Sequence, residues 1–119
     1  MLRAIYQARA VMRSVELAAA AQEDGAVIYS DGATRWGPAI DFAIKRITSV
    51  RDLAIGSADC APTDVAWYTP LNMLEALGAA LWRGQSDSNG AMDFDELQTA
   101  AQAVICALEE LAEECATVH

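Results

Sequence analysis

An apolar residue recurs at alternating steps of four and three positions near the end of the chain. The residues are Leu97, Ala101, Val104, Leu108, Leu111, Cys115 and Val118. Because an α-helix places residues three or four positions apart on the same face, this spacing predicts a helix with one buried side. Two upstream segments repeat the pattern, in Ile5, Ala8, Met12, Val15 and Ala19 and in Ile40, Ala43, Ile47, Val50 and Ala54. The chain therefore favours a fold in which helices pack on helices.

A further helix is predicted from Leu71 to Trp82, where only Asn72 and Glu75 are strongly polar. A helix that is apolar nearly all round is buried on several sides, so we expect Trp82 in the core. A single small bundle leaves part of such a helix uncovered, and a homodimer is one way to cover it.

Short polar and proline-containing signals predict where helices begin. Proline is favoured at the first helical position, so Gly37-Pro38 and Thr69-Pro70 predict the starts of the second and third helices. Asp93, with Glu96 three residues later, resembles a capping box and predicts the start of the fourth helix.

The connection between the first two helices carries a hairpin signal. Asp31-Gly32 separates two short runs, which predicts a small β-hairpin over about residues 27–36. A chain of 119 residues has the length of one domain and can bury roughly two-thirds of its unfolded surface. We therefore predict an all-α fold: a single helical domain over residues 1–119, built as a four-helix, roughly antiparallel bundle with the hairpin between helices 1 and 2.

The charge of the chain is strongly negative and unevenly distributed. Seventeen acidic and eight basic residues give a net charge of −9, which argues against binding to nucleic acid or to anionic membranes. Residues 1–83 hold nine of the acidic and all eight basic residues, whereas residues 84–119 hold eight acidic residues and no basic one. If the chain has a binding surface, we expect it in this second part.

Few residues suit catalysis or metal binding. The single histidine is His119, which leaves no histidine base for a nucleophile, and the sequence predicts that the chain is not an enzyme. The three cysteines, Cys60, Cys106 and Cys115, show no zinc-site spacing and suggest free thiols in a reducing cytoplasm. No stretch approaches the roughly 20 apolar residues of a membrane span.

One loop, residues 85–96, carries a pattern of oxygen-bearing side chains. It reads Gln85-Ser86-Asp87-Ser88-Asn89-Gly90-Ala91-Met92-Asp93-Phe94-Asp95-Glu96. It resembles the twelve-residue calcium loop of the EF-hand family, which has ligands at positions 1, 3, 5, 7, 9 and 12 and glycine at position 6. The resemblance implies calcium as a ligand, with its side-chain ligands at Asp87, Asn89, Asp93 and Glu96.

The loop departs from the EF-hand pattern in two respects. Gln85 occupies position 1, where the family has aspartate, and Gly84 precedes it where an apolar residue normally closes the entering helix. EF-hands usually occur in pairs, and no second such loop is recognisable in the sequence. A polar turn followed by a capped helix explains Asp93 and Glu96 without a metal.

A cluster of acidic residues near the end of the fourth helix is the second candidate site. Glu109, Glu110, Glu113 and Glu114 lie off the apolar face, close to a helix C-terminus whose partial negative charge disfavours them. They fit either a docking surface for a basic partner or a solvated face that maintains solubility. Trp36 and Trp67 flank helix starts, where they fit clamps against the bundle, or interface anchors if exposed.

The sequence favours a non-enzymatic interaction module, an adaptor or inhibitor that docks on a basic partner protein through this acidic cluster. The first alternative is a calcium-binding module centred on residues 85–96. The second is a binder of a small apolar ligand in a pocket between helices. The resemblance to a known family covers only the loop and its flanking helices.

Overall fold

The protein is built from four helices. The computed structural model describes residues 2–22, 28, 32–55, 64–86 and 92–117. The helices are α1 (Leu2–Ala20), α2 (Gly32–Ile55), α3 (Asp64–Ser86) and α4 (Phe94–Thr117). Buried apolar side chains from all four belong to one core cluster, so the prediction of an all-α helical bundle is confirmed.

The predicted apolar faces form this core. All the described members of the three seams are buried: Ile5, Ala8, Met12, Val15, Ala19, Ile40, Ala43, Ile47, Val50, Leu97, Ala101, Val104, Leu108, Leu111 and Cys115. The side chain of Ala54 and the whole of Val118 lie outside the described residues. The seams are buried because their spacing places every member on the side of its helix that faces the other helices.

The helices pack in a closed ring. α1 packs against α2 and α4, and α3 packs against the same two helices. Diagonal pairs make no comparable contact in the described part of the chain. Each helix is therefore flanked by two grooves. One groove lies between α2 and α3, and another lies between α4 and α1.

The prediction of a second hairpin strand is wrong. α2 begins at Gly32, so residues 32–36 are helical. Most of the first strand lies outside the described residues, but the Ile28 N–H donates a hydrogen bond of 2.8 Å to the Met92 carbonyl. This bond ties the connection before α2 to the residues that precede α4. The Asp-Gly pair favours a hairpin only locally. In the helix, the backbone N–H and C=O groups that would have paired in a hairpin form helical hydrogen bonds instead.

The helix starts predicted from proline are also wrong. Pro38 and Pro70 both lie inside helices, each six residues after the first helical position. The segment added before Pro70 contains Trp67, which is 0% exposed. Burying so large an apolar side chain stabilises the helical extension and offsets the backbone hydrogen bond that Pro70 cannot donate.

The tryptophans occupy three different environments. Trp67 is fully buried, and Trp36 is half-buried with its ring edge-to-face against Phe94, at 5.9 Å between centroids. The expectation that Trp82 lies in the core is wrong, because 67% of it is exposed. None of the helices in the described ranges is long and apolar enough to cross a membrane.

Candidate functional site

The start of α4 follows the predicted cap. The Glu96 N–H donates a 2.7 Å hydrogen bond to Asp93 Oδ1, and the Leu97 N–H donates to the Asp93 carbonyl at 3.1 Å. Asp93 thereby satisfies backbone donors that the first turn leaves without intrahelical partners. Asp95 and Glu96 add negative charge where the helix dipole favours it.

Only two of the four predicted calcium ligands lie within the described residues. Asp87 and Asn89 lie outside the described residues, while Asp93 is half-buried and Glu96 is exposed. One carboxylate oxygen of Asp93 already accepts the cap hydrogen bond. Within the described ranges, no three His, Cys, Asp or Glu side chains are grouped closely enough to hold a metal ion. The described geometry accounts for Asp93 as a helix cap, and calcium binding stays a prediction.

All four predicted partner-binding glutamates are exposed on the C-terminal half of α4. We call Glu109, Glu110, Glu113 and Glu114 the acidic face. The last turn of the helix contains no basic residue that would balance them. Glu110 and Glu113 form no ion pair with any basic side chain in the described ranges. The acidic face therefore concentrates negative charge at the end of the helix where the dipole opposes it.

One member of the acidic face is partly neutralised by α1. Arg9 Nη1 lies 3.9 Å from Glu109 Oε1, and both side chains are about half exposed. The Arg9 guanidinium also lies 4.9 Å from the centroid of the Tyr6 ring. A shallow depression of about 330 Å³ in the α4–α1 groove is lined by these three side chains together with Glu113. Glu109 is therefore a member of the acidic face whose charge α1 partly balances.

One acidic residue of α1, which the sequence analysis did not single out, is buried. Glu16 is 6% exposed and its carboxylate accepts a hydrogen bond from Arg13, one turn earlier. Arg13 itself is largely exposed. A buried carboxylate needs such a partner, because desolvation of an unpaired charge is costly. This pair is structural.

An open groove between α2 and α3 is a concave surface that the sequence analysis did not locate. We call it the α2–α3 groove; its volume is about 340 Å³. It is lined by Gly37, Pro38, Asp41, Ile44, Glu75, Gly78, Ala79, Leu81 and Trp82. The lining thus combines the most exposed tryptophan with two carboxylates and two glycines. A signal was available, since Glu75, Gly78 and Trp82 follow the three- and four-residue steps of one helix face.

The mixed lining bears on the predicted pocket for an apolar ligand. A purely apolar ligand would displace water from the Asp41 and Glu75 carboxylates and would offer them neither a hydrogen bond nor an opposite charge. Such desolvation is unfavourable. A ligand that carries positive charge beside an apolar surface matches the lining better.

The two described cysteines differ in environment, and neither forms a disulfide. Cys106 is exposed on α4, one turn before the acidic face. Cys115 is buried, and burial, as the largest cause, raises the pKa of its thiol, with a further increase from the neighbouring Glu114 carboxylate. Cys115 is a core residue whose thiol stays protonated at neutral pH.

Comparisons with known proteins add no relative to this picture. No model of a protein family matches the chain, and neither the curated proteins nor the solved structures contain a significant match.

Proposed function

We propose that this chain is a non-enzymatic interaction module whose acidic face docks on a basic surface of a partner protein. The observation that carries the proposal is the exposure of four glutamates on adjoining turns of α4. Like charges three or four positions apart destabilise a helix, here near an end where the dipole adds to the cost. A basic partner would relieve this repulsion, and its approach would be accelerated by the negative field.

The distribution of charge supports the same surface. Positions 84–119 contain eight acidic residues and no lysine or arginine. Histidine, the commonest acid–base group in catalysis, occurs only at position 119, which supports a non-enzymatic role. The absence of zinc-site or paired cysteine spacing supports a cytoplasmic location for this module.

We also infer that the helices run roughly antiparallel. In α2 and α3, Arg51 lies over the Tyr68 ring at 5.3 Å, whereas the earlier Ile40 is next to the later Gly78. In α1 and α4, Tyr6 lines the same depression as Ala116, and Arg13 lines the same depression as Ile105. In both pairs, residues earlier in one helix lie beside residues later in the other, as in antiparallel helices.

The test compares two variants with the same loss of charge. Glu110→Gln/Glu113→Gln neutralises two carboxylates of the acidic face that form no ion pair in the described ranges. Asp52→Asn/Asp95→Asn neutralises two exposed carboxylates outside it, of which Asp52 pairs with Arg51 at 3.2 Å. Each variant and the wild type are used to capture partners from the native lysate, and association rates with a captured protein are then measured at two salt concentrations. We expect the first variant to associate about tenfold more slowly, and the second to behave like the wild type.

Equal capture and equal association rates for the two variants would contradict the proposal. A wild-type association rate that does not change with salt would contradict it as well, because steering between exposed charges is screened.

Calcium binding by residues 85–96 is a second candidate function. It is supported by the placement of the loop, since α3 ends at Ser86 and α4 begins at Phe94, within the twelve-residue pattern. Calorimetric titration of the wild type with calcium should then release or absorb heat, and Glu96→Gln should abolish this signal. Asp95→Asn, which changes a neighbouring carboxylate outside the ligand set, is the control. No heat at millimolar calcium would eliminate this function.

A further inference from the structure

We propose that the α2–α3 groove binds an arginine side chain of a partner protein, with its guanidinium on the Trp82 ring and its charge facing Asp41 and Glu75. All three residues line the same groove. The site lies on the α2–α3 side of the helix ring, whereas the acidic face lies on α4.

In the described ranges, the other exposed aromatic rings are each covered by an arginine. Tyr6, Phe42 and Tyr68 each carry an arginine guanidinium over the ring, at 4.9, 5.3 and 5.3 Å from the centroid. Trp82 is more exposed than any of them, at 67%. No lysine or arginine stands three or four positions from it in α3. Tryptophan is the ring that attracts cations most strongly, so Trp82 is suited to a guanidinium supplied from outside.

The α2–α3 groove carries two carboxylates that no basic side chain of the described ranges balances. Asp41 and Glu75 are both exposed, and in the described ranges neither pairs with a basic side chain, including Lys45, one turn after Asp41. A guanidinium has a flat face that stacks on an aromatic ring and N–H donors that pair with carboxylates. Arginine therefore satisfies both kinds of lining at once, which neither an apolar group nor an anion does.

Packing does not require glycine at position 78 of the groove. A Cβ on Gly78 would make only an ordinary contact with Ile40. Glycine inside a helix nevertheless costs roughly 0.5–1 kcal/mol relative to alanine. The visible effect of Gly78 is to leave the groove open beside Trp82.

The charge of the groove favours a basic partner protein over a second copy of this chain. A second copy of this chain would bring another net charge of −9 to a groove that already holds two carboxylates. A small ligand needs to be enclosed over most of its surface, whereas this groove is open along one side. A partner segment that presents one arginine among apolar residues fits both the shape and the charge. The inference shares with the proposed function the need for a basic partner, but it depends on different residues.

The experiment uses nuclear magnetic resonance of the full chain, in which the three indole N–H signals are assigned with tryptophan-to-phenylalanine variants. The probe is the tripeptide acetyl-Leu-Arg-Leu-amide, and the control probe is acetyl-Leu-citrulline-Leu-amide, which keeps the shape but lacks the charge. We expect the arginine peptide to shift the Trp82 signal at millimolar concentration and to leave the signals of Trp36 and Trp67 unchanged. The citrulline peptide should bind at least about fivefold more weakly.

Variants locate the contact within the groove. Asp41→Asn/Glu75→Gln should reduce binding of the arginine peptide to the level of the citrulline peptide, and Gly78→Leu should block both peptides by filling the groove. Asp95→Asn is the matched control, and Glu110→Gln/Glu113→Gln separates this site from the acidic face. Both should leave peptide binding unchanged.

The proposal would be overturned by no shift of the Trp82 signal or by equal binding of the two peptides. It would also be overturned by light scattering that shows a dimer which Trp82→Ala dissociates. Loss of peptide binding in Glu110→Gln/Glu113→Gln would also count against it, by placing the contact on the acidic face. Peptide binding in the groove with no effect of the acidic-face variant on partner capture would support this site and contradict the proposed function.

Discussion

The Cγ2 atom of Ile40 lies 3.8 Å from the position that a Cβ on Gly78 would take. This is an ordinary van der Waals distance, so α2 and α3 would accept alanine at this position without moving apart. We expect Gly78→Ala to raise the free energy of unfolding by about 0.5–1 kcal/mol, because alanine restricts the unfolded chain and favours the helix. Urea denaturation followed by circular dichroism measures the change.

Gly37→Ala is the comparison variant. Apart from its chain neighbours its added Cβ would meet nothing within 4 Å, but a Cβ on the residue before Pro38 crowds the proline ring in a helix. We therefore expect a smaller gain from Gly37→Ala than from Gly78→Ala. A loss of stability in Gly78→Ala would instead mean that the helices cannot accept a methyl group between them.

The second prediction concerns the proline inside α2. Pro38 has no N–H to donate to the Thr34 carbonyl, and it is exposed, so its ring contributes little packing. Pro38→Ala should therefore raise the free energy of unfolding by about 1–3 kcal/mol. Part of this gain is offset because proline restricts the conformations of the unfolded chain and alanine does not. Pro70→Ala is the matched comparison, because Pro70 is fully buried and its replacement also removes core contacts. An equal or larger gain for Pro70→Ala would contradict this account.

The third prediction concerns the buried carboxylate of α1. Arg13→Ala removes the partner of Glu16, which is 6% exposed, and should lower the free energy of unfolding by about 1–3 kcal/mol. The same substitution in a Glu16→Leu background should cost little, because no buried charge is left unpaired there. Thermal or urea unfolding of the four proteins completes a double-mutant cycle. Equal costs in the two backgrounds would show that Arg13 acts through packing rather than through its charge.

The fourth prediction is a dependence of stability on pH. Burial raises the pKa of the Cys115 thiol in the folded protein above its ordinary value of 9.0. Below that value the thiol is protonated in both states, and as pH rises the unfolded chain loses its proton first. The free energy of unfolding should therefore fall above about pH 9, with a smaller fall in Cys115→Ala. Denaturation curves at several pH values test this, and parallel pH profiles for the two proteins would refute it.

The parts of the fold that the sequence predicted are those that depend on helix geometry alone. Met12, Ile47 and Leu108 are buried because the three- and four-residue spacing leaves them no other face to occupy. The cap at Asp93 was predictable for a similar reason, since a carboxylate at that position meets the backbone donors of its own helix. Both signals are local, and no distant residue is needed to read them.

The errors arose where distant contacts decided the outcome. Thr69-Pro70 is a good local start for a helix, but burial of Trp67 extends α3 six residues further towards its N-terminus. Trp82 was misplaced because a helix with almost no polar residues shows no outward face in its sequence. Which side of α3 meets α2, and which stays open beside Asp41, depends on how the neighbouring helices pack.

The candidate sites were predicted less completely than the core. The exposure of Glu110 and Glu113 followed from their position off the apolar seam, whereas the contact of Glu109 with Arg9 joins two helices far apart in the sequence. No periodicity within α4 reveals which residue of α1 will stand opposite.

The packing of α1 against α4 has a consequence for the order in which the protein folds. Arg9 and Glu109 meet across nearly the whole length of the chain. During synthesis, the apolar side of α1 therefore lacks one of its two neighbours until α4 has left the ribosome. Contacts between such distant segments are slow to form, since the loop must close before they stabilise anything. The arrival of α4 thus completes the core, and this helix also carries six of the acidic residues and no basic one.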